Sequence, residues 1–329
     1  MLSFERSFSL RELRVRAKNC DLCNLLHFAL SSLDMKDETP IQVRRRRSAL
    51  ELADSGQRIL HLCSASGLSG DYIQDVQNGI PDLFAIMNSM TDWPLYFELL
   101  SQWLAECNQG HECHQRTMFC PTRLIFVGDS DPNKLRLVER ASRVDYLALS
   151  HCWGGPTTDE KKKYCTTPEN IRRRRKGFTF EDLPKTFQDA VQVTRKLGKN
   201  FLWIDSLCII QEEEGKSDWK RESKLMERVF SSAYCTIAAT SAAGWKEGFL
   251  ERKPTIQSVQ VQDVSGNRLY VCNNVDNFND DVEDGNLNKR GWVLQERVLS
   301  RRIIHFTKKH TYWECGKGVR CENFTRMVT

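Results

Sequence analysis

FLWIDSLCIIQ, running from Phe201 to Gln211, opens with four large apolar residues in a row: Phe201, Leu202, Trp203 and Ile204. A run apolar on both faces suits a central strand of a parallel sheet, where helices cover both sides. Period alone does not separate such a run from a buried helix, so its flanks decide. Upstream, DLPKTFQDAVQVTRKL (182–197) puts Leu183, Phe187, Ala190, Val191, Thr194 and Leu197 on one helical face, and Gly198 closes it. Downstream, past the polar loop EEEGKSD, Asp218 to Ala233 repeat the helical spacing. Asp218 takes the N-cap position there, and Trp219, Met226, Val229, Phe230 and Ala233 form the buried face. Helix, strand, helix is the grammar of an α/β domain. The apolar run stops at Asp205, and ligands of open parallel sheets sit outside the carboxyl ends of the strands. Asp205 is a site candidate on that ground; capping the next turn is its plainer role.

The pattern recurs on either side. Tyr146 to Leu149 form a buried strand that stops at Ser150 and enters His-Cys-Trp-Gly-Gly. Glycines in that loop allow a sharp turn or a close approach to a ligand. YCTIAAT (234–240) is a third such strand, ending at Ser241. Right-handed crossovers make the three parallel and set Ser150, Asp205 and Ser241 along one edge of the sheet. Further on, IQSVQVQDVSGNRLYVC (256–272) alternates around a Ser-Gly-Asn turn, and RIIHF with TYWEC predicts another hairpin. Between the two hairpins, Trp292, Gln295, Glu296 and Leu299 share one side of a helix. The N-terminal part reads as a helix over 9–33, a strand RILHLC, a helix over 94–107, and the paired strands LIFVGD and LRLVE. The expected division is therefore an N-terminal helical/β region, 1–140, and an α/β domain, 141–329.

Composition narrows the function. With 329 residues, 40% hydrophobic and 28% charged, the chain is that of a globular protein with a sizeable core. No apolar run approaches the ~20 residues of a membrane span, so none is expected. The opening MLSFERSFSLRELRVR places charges where a signal peptide needs an apolar core, which points to a cytoplasmic protein. A net charge of +5 is too mild to argue for nucleic acid, and the runs at 161–163 and 172–175 read as solvated faces. Thirteen cysteines in a reducing compartment are buried thiols or metal ligands. Cys20 and Cys23 have the spacing of one zinc-ligand pair, and Cys107 with His111 or Cys113 offers a second. Tetrahedral zinc takes four such ligands, and the ion would structurally staple the N-terminal helix to the one ending near Cys107. Buried thiols without a metal are the alternative.

Several blocks together resemble one family: YLALSHCWG, LPKTFQDAVQVTRKLGKNFLWIDSLCIIQ, DWKRESKLMERVFSSA with YCTIAAT, and RGWVLQERVLSRRIIHF. They are similar, in spacing and in order, to the fungal heterokaryon incompatibility (HET) domain from about Tyr146 to Cys315. CDLC and WLAECNQGHEC resemble the segment that commonly precedes it, while His151 stands where tyrosine is frequent. The resemblance implies an effector of programmed cell death in non-self recognition, distantly related to Toll/interleukin-1 receptor (TIR) domains. The fold it implies is α/β and flavodoxin-like: a mainly parallel sheet flanked by helices, with an N-terminal helical/β extension and C-terminal β-hairpins. Many TIR domains cleave NAD at the nicotinamide–ribose bond, using a glutamate four residues after a tryptophan. Trp292 and Glu296 have that spacing, and Trp219 with Glu222, three apart, is a second pair.

NAD is thus the implied substrate, with Glu296 and Asp205 as catalytic carboxylates. Ser150, Trp153, Gly154, Trp292, Gln295 and Glu222 are the implied substrate-binding residues. A carboxylate stabilises the oxocarbenium-like transition state of such a cleavage. The plainer role for Glu296 is a surface pair with Arg297, Arg301 or Arg302. The competing class is a non-catalytic signalling module that acts by self-association, as some TIR adaptors do. A pocket joining Glu296, Asp205 and Ser150 would point to the enzyme, and a filled or flat strand edge to the adaptor. The partners implied are a second copy of the chain and an incompatibility partner protein.

Overall fold

The computed structural model describes residues 5–31, 33, 35–46, 49–64, 93–110, 113, 119–139, 144–212, 215–251, 258–262, 268–273, 276–289, 291–322 and 326–327. They fall into two compact units, Met1–Leu95 with Lys253–Asp276, and Tyr96–Arg252 with Asn277–Thr329.

The first unit is built on a six-stranded antiparallel sheet. Leu25, Leu26 and Leu30 of the helix Asp21–Ser31 pack in one core with Ile41, Val43, Leu50, Leu52 and Leu60 of its strands. The single helix expected over 9–33 is two, Leu10–Arg16 and Asp21–Ser31, the first held by a capping box between Ser9 and Glu12. The hairpin Ser258–Gln262/Arg268–Cys272 belongs to this unit, because its second strand pairs with Arg58–Ser64.

The second unit begins with helix α1 (Trp93–Gly110) and carries a ten-stranded sheet. Its strands are β1 (Arg123–Phe126), β2 (Lys134–Glu139), β3 (Leu147–Ser150), β4 (Phe178–Thr179), β5 (Phe201–Trp203), β6 (Cys235–Ala238), β7 (Arg302–Phe306), β8 (Thr311–Cys315), β9 (Gly318–Cys321) and β10 (Arg326–Met327). Their order across the sheet is β10-β9-β8-β7-β6-β3-β5-β1-β2-β4. The three short apolar runs of the sequence are β3, β5 and β6, adjacent and parallel, and β7 extends the parallel group. Leu147, Leu202 and Ile304 are 0% exposed, as strands covered on both faces require.

The expectation of a mainly parallel sheet needs correction. Only three of the nine neighbouring pairs are parallel, and the sheet is mixed. The hairpins supply the antiparallel pairs: β7 turns back into β8 and β9, while β1 lies antiparallel to β5 and brings β2 with it. Strands β1 and β2, read in sequence as part of the N-terminal region, therefore belong to the sheet of this second unit, with β4 outside them.

Helix α2 (Lys185–Lys196) is the amphipathic element before β5, with Phe187, Ala190, Val191 and Thr194 buried. The long helix expected from Asp218 is broken into Ser217–Glu222, a 3₁₀ turn at Ser223–Leu225, and α3 (Met226–Ser232). Asp218 is not its N-cap; Lys216 holds that position in a left-handed conformation (φ 48°). Trp219 is 42% exposed and does not line a buried face. Helix α4 (Gly291–Leu299) leads into β7. No helix among the described residues is long and apolar enough to cross a membrane.

Candidate functional site

The carboxyl ends of β3, β5, β6 and β7 share one edge of the sheet. Ala238 stands opposite Ser150, the Ala239 N–H donates to the Ser150 carbonyl (3.0 Å), and the Ser241 N–H donates to the Phe306 carbonyl (2.8 Å). Ser150, Asp205 and Ser241 accordingly lie along that edge, as the sequence pattern predicts. The chain runs from β3 to β5 on one side and then crosses to β6 on the other. Such a reversal leaves a crevice between the loops that follow the two diverging strands.

Those loops are Cys152–Gly155, after β3, and Ala243–Trp245, after β6. Gly154 has φ +71°, and a Cβ there would sit 2.7 Å from the Gly244 Cα. The two backbones touch at a position only glycine can fill. Beside this contact is a cavity of about 390 Å³ lined by Cys152, Trp153, Gly154, Gly155, Ala243 and Asn286. Trp153 is fixed from two sides. Its indole Nε1 donates to Asp205 Oδ2 (2.9 Å), and its ring stacks on Trp245 with centroids 5.9 Å apart. Trp245 is 2% exposed and meets Phe187 of α2 edge-on. Thr186 of α2 holds the same loop by donating from its hydroxyl to the Gly244 carbonyl (3.0 Å).

Asp205 is the first residue of the short helix Asp205–Cys208, whose N-cap is Ile204, and its Oδ1 accepts from the Ser206 N–H (2.6 Å). Oδ2 orients Trp153 at the cavity wall, and the side chain remains 26% exposed. His151, 4% exposed, brings Nε2 to 4.0 Å from Asp205 Oδ1.

Glu296 and Gln295 lie elsewhere. They line a second cavity, about 560 Å³, with Met226, Glu227 and Phe230 of α3 and Leu299 of α4. The Ser300 hydroxyl donates to the Glu296 carbonyl (2.6 Å) and contacts the Thr236 hydroxyl (2.7 Å) near the start of β6. Three residues earlier, Val293 packs with Cys152, Ala238 and Ile303. Helix α4 thus descends from the carboxyl edge toward the amino edge, and Glu296 is on its lower half. Glu296 thus lines a cavity apart from the one at Trp153, and neither Asp205 nor Ser150 is among the residues lining either cavity. The side chain of Trp292 lies outside the described residues. Glu222 lines neither cavity; it is 6% exposed and accepts from Arg221 Nε (3.2 Å).

Residues 146–296, which carry the first cavity and most of the second, match the family model for the heterokaryon incompatibility protein (HET). This stretch is a HET domain. No curated protein and no solved structure matches the chain. The HET domain ties the protein to heterokaryon incompatibility.

Four residues around the HET-domain crevice are not singled out by the sequence reading: Ala243, Gly244, Trp245 and Asn286. The first three carry a usable signal, because SAAGW, like HCWGG, follows the stop of a buried strand. Asn286 comes from a distant loop and has none.

Of the expected zinc ligands, Cys20 and Cys23 lie in the first unit, where the Cys23 N–H donates to Cys20 Sγ (3.3 Å). His111 is outside the described residues. Cys107 and Cys113 lie in the second unit, and their sulfur atoms come together with a third, that of Cys315.

The interior also holds a charge network built around β7 and β8. Glu314 accepts from Arg297 Nε and NH2 (2.9 Å each) and pairs with His305 Nε2 (2.8 Å), while Arg297 also forks onto Glu283 (2.7 and 2.8 Å). Arg297, one of three arginines offered as a partner of Glu296, is taken up here instead. Burial works to raise the Glu314 carboxyl, but hydrogen bonds from His305 and Arg297 outweigh it and hold it at about 2. Burial pushes His305 below the ordinary histidine range although Glu314 pulls the other way. A carboxyl depressed on folding contributes stability above its unfolded value, and that contribution disappears as pH falls through the folded one. Acid should therefore weaken the fold between pH 4.5 and about 2 on account of Glu314. Urea titrations across that window should show a shallower acid dependence in Glu314→Gln than in wild type; identical slopes would rule the effect out.

Proposed function

We propose that this HET domain is an effector of fungal non-self recognition that triggers programmed cell death, and that NAD is the ligand of the crevice above β3 and β6. The single observation that carries the reading is the position of that crevice. The four parallel strands run β5-β3-β6-β7 across the sheet, which in chain order is 2-1-3-4. That is the order with which a flavodoxin-like, and hence TIR-like, sheet begins, and nucleotides bind such sheets at the first–third strand reversal. The cavity lies at this reversal, with a clamped tryptophan as its wall and a glycine loop as its rim.

Cleavage of the nicotinamide–ribose bond builds positive charge on the ribose, which a carboxylate stabilises. Asp205 is the carboxylate we assign, because it is partly exposed and already oriented beside Trp153. Ser150 and Gly154 supply the edge on which ribose and phosphate groups would rest. The test is direct: purified full-length protein incubated with NAD should release nicotinamide, followed by chromatography. A folded protein that neither binds nor consumes NAD would end the reading.

One observation favours the second class, a module that signals by self-association without catalysis. Glu296, the glutamate in the tryptophan-spaced position, lines the groove between α3 and α4 rather than the crevice. If that class is right, cell killing persists when Asp205 and Glu296 are neutralised and fails when an assembly surface is changed.

A further inference from the structure

Cys315 is far in sequence from Cys107 and Cys113, yet the three sulfur atoms lie within 4.8 Å of one another. Each arrives on a different element. Cys107 is in the last turn of α1, Cys113 follows that helix, and Cys315 ends β8. A fourth element closes around them: Gly316 brings its backbone so near that a Cβ there would sit 3.3 Å from Cys113 Sγ.

A second, independent observation lies next to the thiols. Arg302 of β7 is 2% exposed and stands directly opposite Cys315 in the β7–β8 register. Its NH1 donates to Asn108 Oδ1 (2.6 Å), the residue after Cys107, and its guanidinium lies over the Tyr234 ring at 4.4 Å. Its NH2 is buried and makes no hydrogen bond. An orphaned guanidinium nitrogen is expensive inside a protein, and it is satisfied by negative charge nearby.

We propose that Cys107, Cys113 and Cys315 bind one zinc ion as thiolates, with Arg302 as the cation that balances the site. Three thiols give up three protons to solvent on binding, so a Zn²⁺ ion with three thiolates carries one net negative charge. Arg302 offsets that charge from the outer shell, the place where metal sites are commonly tuned. Size selects a single ion. Zinc–sulfur bonds of about 2.3 Å at tetrahedral angles put sulfur atoms roughly 3.8 Å apart, a separation that fits inside the 4.8 Å within which the three sulfurs lie. The fourth position is left to water. The site is structural: it ties the end of α1 to the turn between β8 and β9 within the second unit. Cys20 and Cys23 have no part in it, which separates this site from the pairing expected from sequence.

The experiment is metal analysis of the full chain purified without chelator. About one zinc per chain should be found, retained in Cys20→Ser and Cys23→Ser, and lost in Cys107→Ser and Cys315→Ser. Loss of metal could also follow from misfolding, so cobalt exchange into wild-type protein supplies a second readout. It should give the strong ultraviolet thiolate-to-cobalt charge-transfer absorption and the visible bands of a tetrahedral thiolate site. Zinc retained in a folded Cys315→Ser protein would overturn the proposal. So would wild-type protein that takes up neither metal, or a Cys107–Cys315 disulfide in protein purified under reducing conditions.

Discussion

Asp218→Ala is expected to remove about 3–5 kcal/mol of unfolding free energy, several times what an exposed ion pair contributes. Asp218 receives Arg123 through both guanidinium nitrogens, NH1 to Oδ2 (2.9 Å) and NH2 to Oδ1 (2.5 Å). Oδ2 also accepts from the Ile210 N–H (2.8 Å), and Arg221 adds a second cation at Oδ1. Arg123 is 2% exposed on β1, and its NH1 further donates to the Cys208 carbonyl (2.8 Å). The pair therefore fastens strand β1 to the loop that follows β5. Alanine at 218 takes from a buried guanidinium its bidentate counter-charge, leaving only the more distant Glu139 at 3.7 Å from Nε, and leaves a part-buried N–H without its acceptor; both penalties fall on the folded state. Replacing both partners, as Arg123→Met with Asp218→Leu, removes the stranded charge and should recover much of the loss. Urea unfolding of the three proteins decides it. A loss under 1 kcal/mol in Asp218→Ala would mean that the pair is screened and this account of it is mistaken.

Asp218 also illustrates where sequence reading stops. Placed before an amphipathic stretch it has the look of an N-cap, since local spacing is all the sequence displays. Its actual partner is 95 positions earlier and meets it only because β1 pairs with β5. By contrast, Ser150, Asp205 and Ser241 are legible, because an apolar run that stops at a polar residue records a strand end wherever the strand is placed. Strand β7 was readable as half of a hairpin, and it is one. Its other neighbour, β6, is a parallel partner across a helix, and no local pattern encodes that pairing. The hairpin around Ser258–Cys272 is similar, legible in its alternation and silent about which sheet it joins. Cys315 shows no metal-ligand spacing with a neighbouring cysteine in sequence; its partners come from the end of α1 and the residues just after it. Glu296 shows the converse risk. Four-residue spacing places it on a helical face, but which cavity that face borders depends on how α4 packs against α3.

Asp205→Asn should lower nicotinamide release by on the order of 10²–10³-fold, the effect of deleting one preorganised electrostatic contact at a developing charge. The substitution keeps the side chain's size and removes the charge. It also leaves one amide group facing a donor, because Asp205 accepts from both the Trp153 indole and the Ser206 N–H. Trp153→Ala separates these two effects. It removes the wall of the crevice while leaving the carboxylate, so NAD binding should weaken more than the turnover of bound NAD. Glu296→Gln is the counter-test, since its groove is distinct from the crevice. Nicotinamide release should be unchanged in that variant, and cell killing should follow release in all three proteins. If release instead survives Asp205→Asn and vanishes in a folded Glu296→Gln protein, the catalytic carboxylate belongs to the groove between α3 and α4, and the crevice is not where NAD is cleaved. If killing persists in both variants while release is absent throughout, the domain signals without chemistry, and the groove becomes the first surface on which to look for a second copy of the chain.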